Sequence, residues 1–340
     1  MRIIDSHVHL RSAATGHNAL YKLAGRLGYE KLALMSLQCY DPVQNMACAL
    51  CKLQNIKNTY AFAGLDYVTG RDFRAQVENI FALGFDGVKM LEGKPTTRRL
   101  INRALDNTEY DGFYDFLEEK AFPVTLHVAD PDTFWDAARA PHWAVEHGWL
   151  YNENDAPYEQ YYTEVENMLR KHPKLKATFA HFFFLSWDAA RAQRFLDEHP
   201  SVSIDITAGI EMYENFSKDP AFWREFFIKN QDRIIFGTDS SDEEPSEDAI
   251  SLNGYAGMEI EFLSHSREIE IYGMKLNGIG LPEDARGKIL AGNFAELVGN
   301  PPKKMDAAAL IKEAEYMKGH LKKKDDIEKM DKIIDGLRAV

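Results

Sequence analysis

The sequence predicts an α/β fold, a slightly elaborated (β/α)8 TIM barrel with extra C-terminal helices. Three observations lead there. Eight short apolar runs recur along the chain, the intervals between them carry helical patterns, and no tight hairpin signal joins one run to the next. Several runs are almost continuously apolar, as strands are when helices cover both faces. Parallel strands need long crossovers, and the intervals are long enough. An open doubly wound sheet would share this alternation. No GxGxxG or GxxxxGK[ST] follows a strand, which removes the usual nucleotide-binding form of that alternative.

In chain order the predicted strands are RIIDSH (2–7), KLALMSL (31–37), TYAFAGLDY (59–67), FDGVKML (85–91), PVTLHV (123–128), KATFAHFF (176–183), VSIDIT (202–207) and RIIFGTDS (233–240). Between the third and fourth, DFRAQVENIFALG opens on Asp72 as an N-cap. It places Phe73, Val77, Ile80 and Phe81 on one face and stops at Gly84. Between the sixth and seventh, DAARAQRFLDEHP starts at Asp188, aligns Ala192, Phe195 and Leu196, and ends before Pro200. After the eighth, LPEDARGKILAGNFAELVG has Pro282 near a first helical turn, followed by acidic residues that suit the positive end of the helix dipole. From about residue 303 the chain reads as charged helix with an apolar stripe of Leu310, Ala314, Met317 and Leu321. That stretch is either an appendage on the barrel exterior or a contact in a homo-oligomer. The long segment 129–162, rich in Trp and Tyr, follows the fifth strand. Long loops at that end of a barrel sit over the active face. The segment is therefore a lid or substrate wall, or else a surface insertion that packs its own aromatics.

The 340 residues carry 53 acidic against 40 basic side chains, a formal net charge of -13. This disfavours a nucleic-acid backbone or an anionic membrane as partner. No apolar run approaches the roughly 20 residues that span a bilayer, and Asp5 and His7 interrupt any signal stretch at the N-terminus. Three cysteines agree with a reducing compartment. The expectation is a cytoplasmic protein acting on a small molecule. Cys48 and Cys51 form a CxxC in a helical stretch with no second pair, so they read as core residues and not as a zinc site.

Chemistry concentrates at the strand ends. In an extended segment alternate side chains point the same way, so Asp5, His7 and His9 are expected to share one face. The fifth strand ends in His127, the sixth in His181 and the eighth in Asp239. In a parallel barrel all these ends meet at one rim, where five such side chains could converge on one cavity. Imidazoles with one carboxylate suit Zn2+, with Mn2+, Fe2+ or Co2+ as alternatives.

The stretches DSHVH, LHV, AHF and FGTDS at these ends resemble the amidohydrolase superfamily, and most closely its amidohydrolase-related branch of hydrolases and non-oxidative decarboxylases. GFDGVKM (84–90), LRKHPKLKATFAH (169–181), LDEHPSVSIDIT (196–207) and QDRIIFGTDS (231–240) fit the same branch. The resemblance runs to residue 299. Beyond it the charged helical pattern gives an appendage packed on the barrel over residues 301–340, and the resemblance itself implies a metal-dependent barrel over residues 1–300. It also implies His7, His9, His127 and Asp239 as ligands of one metal, with Asp239 moving a proton. His181 would be a second-metal ligand, or would polarise the substrate or move a proton. Lys89 would bridge two metals if carboxylated, bind a substrate carboxylate, or pair with Asp5 or Glu92. Arg98, Trp135 and Trp143 are candidate substrate contacts. Asp205, Arg99, Trp187 and Glu211, near strand ends or in rim loops, are weaker candidates.

The expected activity is hydrolysis of an amide, lactone or ester by metal-activated water. The alternative is metal-dependent decarboxylation of an aromatic or unsaturated acid. A metal-dependent nuclease is opposed by the acidic charge, and a binding-only barrel by the intact ligand set.

Overall fold

The computed structural model describes residues 1–11, 18–242, 255–271 and 274–340. Its main sheet contains β1 (Ile4–His9), β2 (Lys31–Met35), β3 (Thr59–Ala63), β4 (Gly87–Gly93), β5 (Val124–Val128), β6 (Ala177–Phe179), β7 (Ser203–Asp205), β8 (Ile234–Ile235) and β9 (Ser240–Ser241). Every neighbouring pair in it is parallel. The strands β8 and β9 are two ends of one segment. The first pairs with β7 and the second with β1, so the eighth barrel strand closes the ring. The eight predicted runs are the eight barrel strands. A separate antiparallel hairpin, Glu268–Ile271 with Met274–Asn277, lies outside the ring.

The barrel interior is filled from inward-facing positions. Ile4, Ala33, Met35, Tyr60, Phe62 and Ile235 form one buried cluster, closed below by Ala291, Phe294 and Val298. Residues such as Val8, Leu32, Leu34 and Ala61 belong instead to the layer between strands and helices. Ile4 and Val8 would share a face in a regular strand. They do not, because Asp5 and Val8 of β1 oppose Leu32 and Leu34 of β2, which leaves one extra residue in β1. This bulge reverses the alternation and re-aims the second half of β1. The expected common face of Asp5, His7 and His9 is corrected accordingly. A second bulge lies in β4, where Met90 and Gly93 oppose Leu126 and Val128 of β5.

The helices begin where capping chemistry places them. Asp72 accepts the amide of Ala75 at 3.0 Å ahead of the helix Phe73–Ala82, and Asp188 accepts that of Arg191 at 3.0 Å ahead of Ala189–Glu198. Gly84 has φ +88°, and a Cβ there would sit 2.1 Å from the carbonyl oxygen of Lys304, so only glycine lets the C-terminal segment approach. Phe81 departs from expectation. It is a surface ring, with Lys303 Nζ 4.7 Å from its centroid. Below the barrel, Asp86 accepts Lys52 Nζ at 2.6 Å and the amides of Ala61 and Lys303 at 2.8 Å each.

The C-terminal helices Ala307–Lys318 and Lys324–Arg338 pack on each other and on the helix Gln44–Gln54. Leu310, Ala314, Met317 and Leu321 are buried, as their spacing predicts. Lys329 reaches Asp41 at 2.9 Å, and Arg71 grips Glu313 through both nitrogens at 2.9 and 3.2 Å. Cys48 and Cys51 are buried free thiols on the helix beneath. No described helix is long and apolar enough to cross a membrane.

Candidate metal centre

A cavity of about 570 Å³ opens at the C-terminal ends of the strands, lined by His7, His9, Lys89, His127, His181 and Asp239 among others. All five strand-end residues singled out above therefore face one space. Three of them form a tighter group. One ligand atom each from His7, His9 and Asp239 lies within 4.8 Å of the other two. Asp239 Oδ1 is 3.0 Å from His9 Nε2 and 3.8 Å from His7 Nε2.

Hydrogen bonds on the far side of each ring fix which nitrogen carries the lone pair. His9 Nδ1 lies 2.7 Å from the carbonyl oxygen of Met35, which can only accept. His7 Nδ1 lies 3.1 Å from Asp205 Oδ2. Both rings therefore carry the proton on Nδ1 and present a bare Nε2 to Asp239. A histidine that ligates a metal typically donates its other N–H to a carbonyl or carboxylate in this way. Burial first, then the charge of Lys89, pushes the His7 imidazole down to about 3, so it is neutral at ordinary pH. Burial raises the Asp239 carboxyl, but its contact with His9 and the neighbouring imidazoles of His7 and His181 outweigh this and hold the group well below the usual range. Asp239 also has φ +57°, a left-handed conformation secured by its amide on the His7 carbonyl at 2.9 Å. Two bare imidazole nitrogens and one carboxylate oxygen are a fitting donor set for a divalent cation.

His181 follows a short β6. The predicted strand ran to residue 183, but His181, Phe182, Phe183 and Phe184 all take left-handed φ values, from +50 to +56°. Each non-glycine residue there costs about 1–2 kcal/mol, and burial of all three phenylalanines offsets the cost. The turn fixes His181. Its amide donates to Asp205 Oδ1 at 2.9 Å and its Nδ1 to the Thr207 carbonyl at 3.2 Å. Burial lowers its pKa, leaving a neutral ring with Nε2 as acceptor. Lys89 is fully buried, and burial pushes its ammonium down to about 8. Its Nζ lies 3.0 Å from His7 Nε2. His127 lines the cavity but does not join the three-residue group. Its Nε2 is 3.1 Å from Asp130 Oδ1 and 3.4 Å from Lys94 Nζ.

The three candidate substrate contacts lie elsewhere. Arg98 is held by Glu164 at 2.6 and 3.1 Å, out of the cavity wall. Trp135 donates Nε1 to the Ala156 carbonyl and packs on Tyr151 and Tyr158. Trp143 packs behind the wall on Phe134 and Trp149. The wall itself is built by Tyr40, Lys94, His147, Trp149 and Arg11. Segment 129–162 thus lends His147 and Trp149 to the cavity wall and packs its other aromatics on one another. Lys94 and Asp130 each follow a strand end, but the sequence carries no signal for them, because a lysine is no metal ligand and its pairing with Asp130 depends on contact between β4 and β5.

Asp5 supports the centre from behind. Burial pushes its carboxyl up to about 7, although Thr238 Oγ1 (2.6 Å) and the amides of Thr238 and His7 (3.1 Å each) donate to it. A carboxyl raised above its unfolded value of about 4 stabilises the fold by holding its proton, and that stabilisation is lost as pH rises through about 7. Asp5→Asn keeps the acceptor and can donate to Thr238. It should flatten the fall in urea-unfolding free energy between about pH 4.5 and pH 7, a fall worth about 1.4 kcal/mol per pH unit while the group is protonated only in the fold.

Comparison with known proteins places this geometry. Structures of similar fold include 4-oxalomesaconate hydratase from Rhodopseudomonas palustris (TM-score 0.57, 13% identity, covering 87% of this chain and 95% of that one). Another is 2,6-dihydroxybenzoate decarboxylase from Rhizobium (TM-score 0.54, 14% identity, 87% and 98%). A third, a dihydroxybenzoic acid decarboxylase from Polaromonas sp. JS666, holds manganese and an inhibitor (TM-score 0.52, 14% identity, 87% and 96%). At these identities the likeness is one of fold. No curated protein matches the sequence. The sequence profile of the amidohydrolase family does, over residues 39–299, a span that starts after the His7–His9 strand. A match over most of a closed parallel barrel makes the chain a member of the amidohydrolase family, a family of metal-dependent enzymes.

Proposed function

We propose that this chain is a metal-dependent hydrolase acting on an amide, lactone or ester bond of a small molecule held in the barrel mouth. The observation that carries this is the matched pair of tautomers at His7 and His9, whose bare Nε2 atoms face the Asp239 carboxylate. A divalent cation bound by these residues, Zn2+ first and Mn2+, Fe2+ or Co2+ as alternatives, would supply Lewis acidity, making water a stronger acid and polarising a carbonyl. Asp239 stays ionised, and its side chain is 38% exposed to the cavity, so it is placed to take a proton from attacking water and return it to a leaving group. His181 donates through Nδ1 to Thr207, so its Nε2 accepts a proton and does not polarise a carbonyl while the ring is neutral. The acidic balance of the chain speaks against a nucleic-acid or anionic-membrane partner and so for a small molecule, and the three cysteines fit the cytoplasm.

Decarboxylation of an aromatic or unsaturated acid is the second reading, favoured by the cationic and aromatic wall of Lys94, Arg11 and Trp149. The test is a product assay on the metal-loaded protein with panels of amides, lactones, esters and aromatic acids. Release of acid with amine or alcohol and no CO2 is the expected result. CO2 release without hydrolysis would replace this reading with the lyase.

Lys89 gives a further expected outcome. As an ammonium it donates to the His7 lone pair that a cation needs, and like charges at such distances repel strongly in a buried site. Lys89→Met should therefore bind Zn2+ about tenfold more tightly in an equilibrium titration. A carboxylated Lys89 bridging two ions requires weaker binding and loss of one metal equivalent.

A further inference from the structure

The loop over residues 147–155 brings His147 and Trp149 to the cavity wall, yet it contains no helix or strand that would hold them there. What holds it is the helix Pro95–Ile101, which begins shortly after β4. Arg99 on that helix makes four hydrogen bonds to the loop. Its Nε and Nη2 donate to the two oxygens of Asp155 at 2.6 and 2.8 Å. Nη2 also reaches the Leu150 carbonyl at 3.3 Å, and Nη1 the Gly148 carbonyl at 2.9 Å. The guanidinium lies 5.1 Å from the centre of the Tyr151 ring. All three of its side-chain nitrogens thus have acceptors in the loop. A bidentate pair of this kind is stronger and more directional than an isolated surface ion pair.

The two carbonyls that Arg99 holds are those of the residues flanking Trp149. The ring of Trp149 is met by Lys94, which caps the same helix, with Nζ 4.5 Å from the ring centroid. Gly148 has φ +72°, a turn that suits glycine, and the rings of His147 and Trp149 lie 5.2 Å apart across it. One helix therefore fixes both the backbone around Trp149 and its ring.

We infer that Trp149 is a specificity-determining contact for the substrate and that Arg99 is the residue that positions it. The inference rests on the reading of the barrel mouth as the substrate site. Trp149 is the largest side chain that lines the cavity, so its placement sets the shape left for the part of a substrate that does not reach the metal. Arg99 acts through Trp149, by holding the loop that carries it.

The test compares wild type with Arg99→Ala, Arg99→Lys, Trp149→Ala and the Arg99→Ala/Trp149→Ala double variant, each as the full chain. Amide hydrogen exchange needs no substrate. In Arg99→Ala the amides of Trp149 and Tyr151, which donate to the Ala144 and Phe134 carbonyls, should exchange about tenfold faster or more, with those of the helix Phe73–Ala82 unchanged. Arg99→Lys should not restore protection, because an ammonium cannot reproduce the planar fork. Steady-state kinetics then use the compound of the panel above that the Zn2+-loaded wild type turns over fastest. Arg99→Ala and Trp149→Ala should each raise KM about tenfold, kcat of Arg99→Ala should change by less than about threefold, and the double variant should be no worse than Trp149→Ala alone. In a titration with Zn2+ alone, Arg99→Ala should bind as wild type does. Unchanged exchange at Trp149 and Tyr151, KM effects that add in the double variant, or weaker Zn2+ binding in Arg99→Ala each overturn the inference and leave the metal reading standing. A wild type that binds no Zn2+ overturns the metal reading itself, and the exchange rates then decide the place of Arg99.

Discussion

Replacing His9 or Asp239 with alanine is expected to strip the chain of tightly bound divalent metal and of turnover while leaving it folded. Both side chains reach into the cavity and neither is packed in the apolar core. His9 loses one hydrogen bond, to Met35, worth about 1 kcal/mol. Asp239 keeps its backbone bond to His7, because that bond uses only its amide. The expected loss is about 100-fold in Zn2+ affinity for either variant, with catalytic activity lower by about three orders of magnitude. Asp239→Asn separates two contributions, since it keeps the shape and removes the charge and the proton acceptor. His181→Ala should lose turnover yet hold its metal. Its nitrogens lie outside the three-residue group. Metal content, circular dichroism and melting temperature of the purified variants decide between a lost ligand and a lost fold.

The second large effect lies at the other end of the barrel. Asp86→Ala is expected to destabilise the chain by about 3–5 kcal/mol in urea at neutral pH, because it leaves the Lys52 ammonium buried without its counter-ion. Lys52 is fully buried, and its Nζ has Asp86 at 2.6 Å and the Gly84 carbonyl at 3.0 Å. Burial lowers the lysine's pKa and Asp86 opposes that, as a desolvated pair requires. The same carboxylate holds the amide of Lys303, so the variant should also loosen the attachment of the C-terminal helices. Lys52→Met added to Asp86→Ala should recover part of the loss by removing the unpaired charge. If the double variant is no more stable than Asp86→Ala alone, the ion pair is not the source of the effect.

Much of this was legible in the sequence for physical reasons. The period of apolar runs and the spacing of helix signals are local properties, and they located eight strands and the capped helices at Asp72 and Asp188. Strand ends of a parallel barrel meet at one rim, so His7, His9, His127, His181 and Asp239 could be brought to one cavity without coordinates. What local pattern could not carry was irregularity. The extra residue in β1 and the left-handed run at His181–Phe184 depend on neighbouring strands and on burial of particular rings. Pairing of long side chains was equally hidden. Arg98 looked free to bind substrate, but Glu164, far along the chain, occupies it. Lys94 and Asp130 find each other only because β4 and β5 close together at Gly93.

Anomalous diffraction from crystals grown with Zn2+ or Mn2+, collected at the metal edge, tests the centre most directly. One peak about 2.0–2.2 Å from His7 Nε2, His9 Nε2 and an Asp239 oxygen is the predicted result. An anomalous map with no peak between those three side chains, from protein that binds the metal in solution, would contradict it.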